Sequence, residues 1–574
     1  MENIEVARTF DEVADLLEIQ GANPFRVRAY RTAARTVGTL SASVESLVRR
    51  NGHRLEALPG IGADLAGKIE RLCRTGELPL LEQLKKKTPE SLVTLLRIPG
   101  IGPKRARLIY RKLGVRTLGQ LEKAARAGRL STVRGLGTAI QQSILRGLEQ
   151  DKAHAARVPI AEAEAYVRPL VAALGRTPGV EHLDVAGSFR RRSETVGDVD
   201  ILVAAADPSR VARTFVGFKD VKHVTARGDT RCAVVLGSGL PVDLRIVPAA
   251  GYGAALHYFT GSKAHNIEVR RMAQRRRLKI NEYGVFRGRR RVAGRTEAEV
   301  FAAVGLPYIP PEIRENRGEI EAARAGTLPA LVELADIRGD LQMHTTATDG
   351  RSTLAEMVAA CAARGYEYLA ITDHTQAVRV AGGMTRAGFR RQGRQIDALQ
   401  KKFPDLAILK GAEVDILDDG SLDLDDEALA SLDVVIVSVH SRFNMSKAAM
   451  TRRIVKALRH PGVHILGHPT GRLLGKREPY AVDMDEIAKV ARAEGVMVEV
   501  NAQPERLDAN DLHARMARDA GVTLVIGTDA HAVEELGFMR YGVDQARRGW
   551  CRASDIANTL PLARLRTRLA RQAG

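Results

Sequence analysis

Three things are scarce in this 574-residue sequence: cysteine, aromatic residues and long apolar runs. The four cysteines, Cys73, Cys232, Cys361 and Cys551, are scattered singly, so they form neither a C-x-x-C zinc site nor a disulfide framework. This usage fits a reducing cytoplasm. Aromatic residues make up 4% of the chain, which argues against extensive base stacking on aromatic side chains. No apolar run could span a bilayer and no signal-like N-terminus is present, so no membrane association is expected.

Positive charge, in contrast, is abundant. The chain has 88 Lys and Arg against 68 Asp and Glu, which gives a formal net charge of +20. This excess favours a polyanionic partner, because each basic contact to a polyanion releases counterions. Composition alone does not separate nucleic acid from an anionic membrane. The length predicts about four domains.

The most informative stretch is GSFRRRSETVGDVDILV, residues 187–203. Its apolar end, Ile201 to Val203, predicts a buried β-strand. Because side chains alternate faces along a strand, Asp198 and Asp200 point the same way. Two adjacent carboxylates are costly without a cation, and their hard oxygens suit Mg²⁺ or Mn²⁺. The pair therefore predicts a divalent-metal site.

Anion-binding groups precede this pair, and a third carboxylate follows it. Gly187, Ser188 and the arginines at 190–192 offer backbone N–H groups, a hydroxyl and guanidinium forks, which suit a triphosphate. Residues 233–247 predict a hairpin with Asp243 on its second strand. If this hairpin pairs with the first strand, three aspartates would hold two metals for an in-line phosphoryl transfer. The alternative is that GS and DVD are only a turn and a strand end.

A short repeat occurs three times in the N-terminal part of the chain. LPGIGADLAGKI begins at Leu58, IPGIGPKRARLI at Ile98 and VRGLGTAIQQSI at Val133. Each has a G-x-G turn before a helical pattern, so the helix start can offer free N–H groups to a phosphate. The alternative is a plain turn before a helix. The repeats resemble helix-hairpin-helix motifs, which bind the DNA backbone, and the residues implied are Gly60, Gly62, Gly100, Gly102, Lys104 and Arg105.

The C-terminal part alternates short β-branched runs with helical stretches, which predicts a parallel α/β barrel. The runs are YLAIT, AILKGAEVDIL, DVVIVSVH, VHILGHP, VMVEVNA and TLVIGTDAH. In such barrels the functional residues lie at the carboxyl ends of the strands. Metal-ligand residue types recur there, and the candidate ligands are His344, Asp349, His374, Glu413, His440, His468, Asp529 and His531. A single histidine at a strand end is more often a packing or capping residue, but the recurrence favours a metal centre.

Residues 187–203, together with YFTGSKAHN at 258–266 and INEYGVF at 280–286, resemble the family X DNA polymerases, the group of DNA polymerase beta. The resemblance implies an α+β nucleotidyltransferase palm with a thumb/fingers subdomain, in which Asp198, Asp200 and Asp243 are the catalytic metal ligands. The implied nucleotide contacts are Gly187, Ser188, Arg191, Gly197, Tyr258, Phe259, Gly261 and Asn266, and Arg270 is the implied DNA contact on the template side. One departure is Pro241, because polymerase beta has an arginine two residues before its third aspartate.

The barrel pattern is similar to the PHP (polymerase and histidinol phosphatase) family, a distorted TIM-like phosphoesterase barrel. That resemblance implies Mn²⁺ or Zn²⁺ held by the candidate ligands of the barrel, and 3′→5′ exonuclease or terminal phosphatase chemistry. The family motif opens with His-x-His, whereas this chain has Gln342-Met343-His344. An amide is a weaker metal ligand than an imidazole.

A third resemblance concerns Lys68 and Tyr30, which match the Schiff-base lysine and an ordering tyrosine of the polymerase beta lyase domain. The alternative is a lysine on a solvated helix face. Amine attack on the aldehyde of an abasic site needs a neutral lysine, so a depressed pKa is expected for Lys68. Asp64 departs from the pattern, because the family has a lysine there that contacts the 5′-phosphate. Arg26 is a partial substitute.

The predicted architecture is multidomain. It comprises an all-α lyase-like domain over 1–82, an all-α helix-hairpin-helix subdomain over 83–153, the palm over 154–247, a nucleotide-selecting subdomain over 248–316, a linker over 317–336 and the PHP barrel over 337–574. The expected protein is a monomeric DNA repair polymerase with exonuclease activity, acting on gapped or primer–template DNA with dNTPs. Two alternatives stay open: a palm-type nucleotidyltransferase acting on RNA ends or small molecules, and a non-catalytic DNA-end scaffold.

Overall fold

The computed structural model describes residues 3–38, 40, 44–50, 55–88, 95, 101–133, 135–138, 140–142, 144–145, 148 and 157–570. The chain divides into two units. One contains residues 1–157 with 237–241, and the other contains residues 158–236 with 242–574. Within the described ranges, no helix is both long enough and apolar enough to cross a membrane.

The N-terminal unit is helical, as predicted. Its helices are α1 Asn3–Gln20, α2 Pro24–Gly38, α3 Val44–Arg50, α4 Ala63–Thr75, α5 Pro79–Lys87, α6 Pro103–Leu113 and α7 Leu118–Arg126. Two apolar clusters hold them together. One surrounds Phe10, Tyr30 and Ile69, and the other surrounds Ile109 and Leu121.

The G-x-G turns precede helices, as the repeat predicts. Gly60 has φ +78°, and a Cβ at this position would overlap Thr32. Only glycine fits such a close approach. Gly62 then precedes the first residue of α4, and Gly102 precedes the first residue of α6. Gly100 lies outside the described residues.

The C-terminal unit begins with the predicted palm, a five-stranded sheet in the order β2-β4-β7-β6-β5. The five strands of this sheet are β2 Val180–Val185, β4 Val199–Ala205, β5 Val221–Ala226, β6 Arg231–Leu236 and β7 Pro241–Ile246. A separate two-stranded sheet consists of β1 Val158–Pro159 and β3 Thr195–Val196. Its helices are α8 Ile160–Gly175, α9 Gly187–Arg190 and α10 Pro208–Val216. Strands β4 and β7 pair in parallel with Asp200 opposite Asp243, so the predicted hairpin lies beside the predicted strand.

The next segment combines helices with a three-stranded sheet, β10-β9-β8. The elements are α11 Tyr252–Thr260, α12 Lys263–Arg275, β8 Lys279–Asn281, β9 Gly284–Arg287, β10 Arg290–Ala293, α13 Glu297–Ala303 and α14 Glu319–Ala325. Phe301 lies in the apolar core of this segment, and so do Ile320 of α14 and Trp550 from near the C-terminus. The predicted linker therefore contributes a helix to this core. The domain boundaries inside this unit stay predictions.

The barrel has seven parallel strands in sequence order, and a bridge between Met343 and Ala530 brings the first and last strands together. The strands are β11 Gly339–Asp340, β12 Tyr368–Ile371, β13 Ala407–Asp415, β14 Val434–Ser438, β15 Ile465–Leu466, β16 Met497–Asn501 and β17 Leu524–Gly527. The helices are α15 Leu354–Ala363, α16 Arg386–Gln400, α17 Asp426–Leu429, α18 Lys447–Leu458, α19 Met484–Glu494, α20 Asp511–Asp519, α21 Met539–Arg548 and α22 Leu562–Leu569. The predicted parallel α/β barrel is confirmed.

Alternate residues of the barrel strands enter different cores. Val434 and Ile436 of β14 pack in one cluster with Leu565 of α22. Val435 and Val437 pack in another with the surrounding helices. Because both faces of each strand are covered, the strands read as continuous apolar runs, which is typical of parallel sheets.

A buried carboxylate joins the palm to the neighbouring segment and gives a stability prediction. Glu297 of α13 accepts from Arg190 Nη2 at 2.7 Å and from Arg314 Nη1 at 2.6 Å, and the Arg314 side chain is fully buried. Burial opposes the charge of Glu297, but the two arginines lower its pKa to about 2. Glu297→Ala leaves these cations without their carboxylate, so the free energy of unfolding should fall by about 3–5 kcal/mol.

The measurement is urea unfolding followed by the fluorescence of Trp550, the single tryptophan, which lies in the adjoining core. The matched control is Glu321→Ala on the exposed side of α14, for which the change should stay within about 0.5 kcal/mol. Equal effects of the two substitutions would show that the pairing of Glu297 does not stabilise this core.

Candidate functional site

The palm carboxylates lie at neighbouring strand ends. Asp198 immediately precedes β4, Asp200 is its second residue, and Asp243 faces Asp200 from β7. Burial and the nearby carboxylates of Asp198 and Asp243 together raise the pKa of Asp200 to about 7. A carboxylate with this environment is stabilised in its charged form by a bound cation. The donor set fits a divalent metal.

Gly187 permits close approach of the next loop to these carboxylates. Its φ is +64°, and a Cβ on it would lie 2.8 Å from Asp200 Oδ2. Only glycine combines this backbone angle with this proximity. Ser188 follows on the half-buried first turn of α9, and Gly197 is buried next to Asp198. The predicted phosphate-binding loop therefore lies against the predicted metal ligands.

Arg231 contacts Asp243, which the sequence analysis did not predict. Its Nη2 lies 3.2 Å from Asp243 Oδ1, and it is the first residue of the neighbouring strand β6. Among the residues that the structure describes, the three palm aspartates do not bring three ligand atoms within 4.8 Å of one another, whereas barrel residues form three such groups of nitrogen and oxygen atoms. Arg231 on β6 therefore places a positive charge beside Asp243. Pro241, at the position where polymerase beta has an arginine, carries no charge.

The guanidinium of Arg191 lies between two neighbouring segments. Its Nε donates to Glu315 at 2.9 Å and its Nη1 to the Thr260 carbonyl at 2.6 Å. A Cβ on Gly261 would lie 3.2 Å from the same Nη1, and Gly261 has φ +71°. The predicted nucleotide residues Arg191 and Gly261 are therefore direct neighbours.

The remaining predicted nucleotide residues cluster around Tyr258. Asn266 Nδ2 donates to the Tyr258 carbonyl at 2.7 Å. The guanidinium carbon of Arg270 lies 5.5 Å from the centre of the Tyr258 ring. The centres of the Tyr258 and Phe259 rings are 5.1 Å apart. The structure thus brings together the four side chains that the resemblance groups.

The predicted barrel ligands converge at the carboxyl ends of the strands. Three groups have ligand atoms within 4.8 Å of one another: His344, Asp349, His374 and His531; His374, Glu413 and His440; and His344, Glu413 and Asp529. His468 joins them through Glu413, whose Oε1 lies 2.9 Å from His468 Nε2. All eight predicted ligands are therefore in one place.

Glu413 lies at the centre of this cluster, and its surroundings fit metal ions. Both His374 Nδ1 and His440 Nε2 are 3.4 Å from its carboxylate oxygens. These two buried nitrogens make no hydrogen bond to any residue of the described ranges. Ligand atoms bound to one tetrahedral zinc are about 3.4 Å apart, because each lies about 2.1 Å from the metal. The spacing is that of ligands around a shared ion.

The charges of the cluster compensate one another. Burial lowers the pKa of His374 to about 4, whereas for His440 the carboxylates of Glu413 and Asp415 outweigh burial and raise the pKa to about 9. Burial disfavours the charge on His344, but Asp529 and Glu413 raise its pKa well above the usual value. Asp529 also has φ +51°, an uncommon angle outside glycine that is typical of functional sites.

Gln342, at the first position of the family motif, pairs with a buried carboxylate. Turned so that its nitrogen faces Glu499, its amide donates to Glu499 Oε2 at 3.0 Å. Burial, together with Asp529, raises the pKa of Glu499 well above its usual value. The glutamine is therefore a fully buried hydrogen-bond partner at the edge of the cluster.

Three residues near the cluster were missed from the sequence. Glu499 and Asn501 lie on β16, and Asn501 Nδ2 donates to Asp529 Oδ2 at 3.0 Å. Asp415 Oδ1 lies 3.1 Å from His440 Nδ1, a contact that orients this imidazole. The signal for Glu499 and Asn501 is present in the sequence, because VMVEVNA is a predicted strand and both residues lie toward its carboxyl end.

Lys68 in the N-terminal unit lies 5.5 Å from the centre of the Tyr30 ring and forms an ion pair with Asp64 one helical turn earlier. Burial opposes the charge of Lys68, but Asp64 and Tyr30 outweigh it, so its pKa is raised. The expectation of a depressed pKa is therefore wrong. Arg105 is half-buried on α6, while the side chain of Lys104 lies outside the described part.

Four family models match the chain. They are a helix-hairpin-helix domain over residues 1–78, a SAM-like helix-hairpin-helix tandem over 92–150, a DNA polymerase beta thumb over 255–315 and a PHP domain over 340–503. Each falls on a segment for which the sequence predicts the same type of structure.

Individual proteins agree with these models. The chain is 38% identical over 567 residues to the Bacillus subtilis (strain 168) protein named DNA polymerase/3′-5′ exonuclease PolX, covering 98% of each chain. It is 28% identical to DNA polymerase lambda of Rattus norvegicus, over 54% of this chain and 56% of that one. A third of the chain (34%) is 29% identical to 80% of a protein named "Probable phosphatase" from Thermoanaerobacter sp. (strain X514).

The fold, the two acidic centres and the similarity to PolX agree over nearly the whole length of the chain. This chain therefore belongs to the bacterial family X DNA polymerases that carry a C-terminal PHP domain.

Proposed function

We propose that the chain is a gap-filling DNA repair polymerase that also shortens DNA from the 3′ end. The observation that carries the proposal is the parallel pairing of β4 with β7, which sets Asp200 opposite Asp243 beside the Gly187 loop. That arrangement suits nucleotidyl transfer. The name and near full-length similarity of the Bacillus subtilis relative support both activities.

In the polymerase reaction, Asp198, Asp200 and Asp243 would hold two divalent cations, for which we propose Mg²⁺ or Mn²⁺. When bound, such cations lower the pKa of the primer 3′-hydroxyl and neutralise the triphosphate of the dNTP. The guanidinium of Arg191 and the hydroxyl of Ser188 would bind the triphosphate oxygens. Because Ser188 and Arg191 lie near Asp200, phosphates bound to them would lie beside the attacking 3′-hydroxyl.

Selection of the nucleotide would fall to the cluster around Tyr258. Its backbone is held by the Asn266 amide, and the Arg270 guanidinium covers its ring. A rigid aromatic at the sugar position excludes a ribose 2′-hydroxyl by its bulk. The fixed ring therefore favours dNTPs over ribonucleotides.

In the exonuclease reaction, the barrel cluster would hold divalent cations, for which we propose Mn²⁺ or Zn²⁺ because the ligands mix imidazole and carboxylate. When bound, these cations activate water and stabilise the charge of the phosphodiester under attack. Asp415 would hold His440 in orientation, and Asn501 would do the same for Asp529. The similarity of this segment to a named phosphatase makes removal of a terminal phosphate a second candidate reaction.

The partners follow from the same residues. DNA is the substrate, with the helix-hairpin-helix turns on its backbone, and gapped or primer–template DNA with dNTPs is the proposed form. We propose a monomer, because one chain carries both centres. The four singly placed cysteines suit a reducing cytoplasm.

The two centres can be separated by substitution. Asp200→Asn removes a proposed palm ligand, so nucleotide addition should fall by at least about a thousandfold while shortening continues. Asp529→Asn should do the reverse. The measurement uses a 5′-labelled primer on one-nucleotide-gapped DNA with Mn²⁺, with and without dNTPs. Loss of both activities in either folded variant contradicts two independent centres.

The metal dependence of extension should vary with pH. The pKa of Asp200 is raised to about 7, so below that pH a cation must displace a proton from its carboxyl group. The Mn²⁺ concentration for half-maximal extension should therefore rise about tenfold per pH unit below pH 7 and level off above it. Extension measured at constant ionic strength from pH 5.5 to 8.5 checks this. A flat profile would show that Asp200 is already ionised.

Lyase activity at abasic sites is proposed on Lys68 and Tyr30. Asp64→Asn removes the carboxylate that raises the pKa of Lys68, so more lysine is neutral at pH 7. Borohydride trapping on a 5′-deoxyribose phosphate end should accelerate by about three- to tenfold in this variant and disappear in Lys68→Ala. Trapping that survives in Lys68→Ala would assign the reaction to another amine.

A further inference from the structure

The predicted triphosphate-binding loop, residues 187–194, is contacted by helix α21 of the barrel segment. Arg548 Nη1 donates to the carbonyl oxygen of Arg191 at 2.7 Å. Gln545 Nε2 donates to the carbonyl oxygen of Arg192 at 3.3 Å. Two consecutive peptide groups of the loop are therefore held by side chains that lie more than 350 residues later in the sequence.

The same arginine reaches the head group of Arg191 through Glu315. Oxygen Oε1 of Glu315 lies 3.2 Å from Arg548 Nη1 and 2.9 Å from Arg191 Nε. With Nη1 of Arg191 occupied by the Thr260 carbonyl, Nη2 makes no hydrogen bond to any described residue. The contacts therefore fix the plane of the guanidinium and leave one of its nitrogens for a ligand.

Arg548 is itself held from its other side. Its Nη2 lies 2.7 Å from Asp511, which also pairs with Arg317 at 2.8 Å. The side chain of Arg548 is only 7% exposed. Burial opposes the charge of Glu315, but Arg548 and Arg191 outweigh it and lower its pKa. A desolvated cluster of alternating arginine and carboxylate pairs has one preferred geometry.

We propose that Arg548 is a positioning residue for the polymerase reaction: through Glu315 and the Arg191 carbonyl, it holds the Arg191 guanidinium in the orientation that binds the triphosphate. The inference rests on the proposed role of Arg191. On this proposal, a residue of the barrel segment supports the nucleotide site of the palm, although the candidate ligands of the barrel are proposed to serve the exonuclease reaction.

Arg548→Met tests this proposal without leaving a carboxylate unpaired. Glu315 is still paired with Arg191, and Asp511 is still paired with Arg317. The expected result is a rise of about tenfold in KM for the dNTP on one-nucleotide-gapped DNA, with kcat within about twofold of the unmodified protein. Shortening of single-stranded DNA should be unchanged, which shows that the barrel is folded.

The matched control is Arg547→Met on the same helix. Arg547 Nε lies 2.8 Å from Glu312 and Nη1 donates to the Val332 carbonyl at 2.9 Å, with no contact to residues 187–194. General damage to this packing would raise KM in both variants. A rise in Arg548→Met alone supports the proposal, and equal KM values in the two variants overturn it.

A double-mutant cycle separates this inference from the proposed function. If Arg191→Met leaves KM for the dNTP unchanged, the triphosphate role of Arg191 is wrong. If Arg191→Met raises KM, the combination with Arg548→Met should raise it no further. Arg548 acts only by orienting Arg191, so its loss has no effect once the Arg191 guanidinium is absent. Effects that multiply would show that Arg548 acts by another route, and they would overturn the positioning role while leaving the function of Arg191 intact.

Discussion

Carboxylates held close together in a protein need a compensating charge, and both centres of this chain depend on that constraint. In the palm, strand pairing sets Asp200 opposite Asp243. The pKa of Asp200 is raised because its carboxyl group is buried and because Asp198 and Asp243 repel its charge. In the barrel, Glu413 and Asp529 share the imidazole of His344, whose Nε2 lies 3.4 Å from Glu413 Oε2 and 3.0 Å from Asp529 Oδ1. Divalent cations bound at either centre would supply the compensating charge.

Local patterns predicted most of the fold and the residues that the structure groups as candidate ligands. The apolar run after Asp200 specified a strand, and the glycines at 237 and 239 specified the turn that brings Asp243 back to it. In the barrel, the rule that parallel strands present their carboxyl ends together predicts that the candidate ligands lie close to one another. The same rule also covers Glu499, which lies on β16 beside the candidate ligands.

Contacts between distant parts of the chain could not be predicted in the same way. The pairing of Arg191 with Glu315, and of Glu315 with Arg548, depends on how three segments pack, and no spacing in the sequence encodes it. The pKa of Lys68 is a different case. Asp64 and Lys68 are four residues apart on a helix, a spacing that forms ion pairs, so the raised pKa could have been predicted.

The shared core of the segment after the palm makes the stability of that segment depend on residues of the barrel part of the chain. Ile320 lies in the predicted linker and Trp550 lies near the C-terminus, yet both pack with Phe301. Loss of everything after residue 316 would strip these side chains from the core and expose apolar surface to water. Removal of the barrel from this chain would therefore also destabilise the segment that follows the palm.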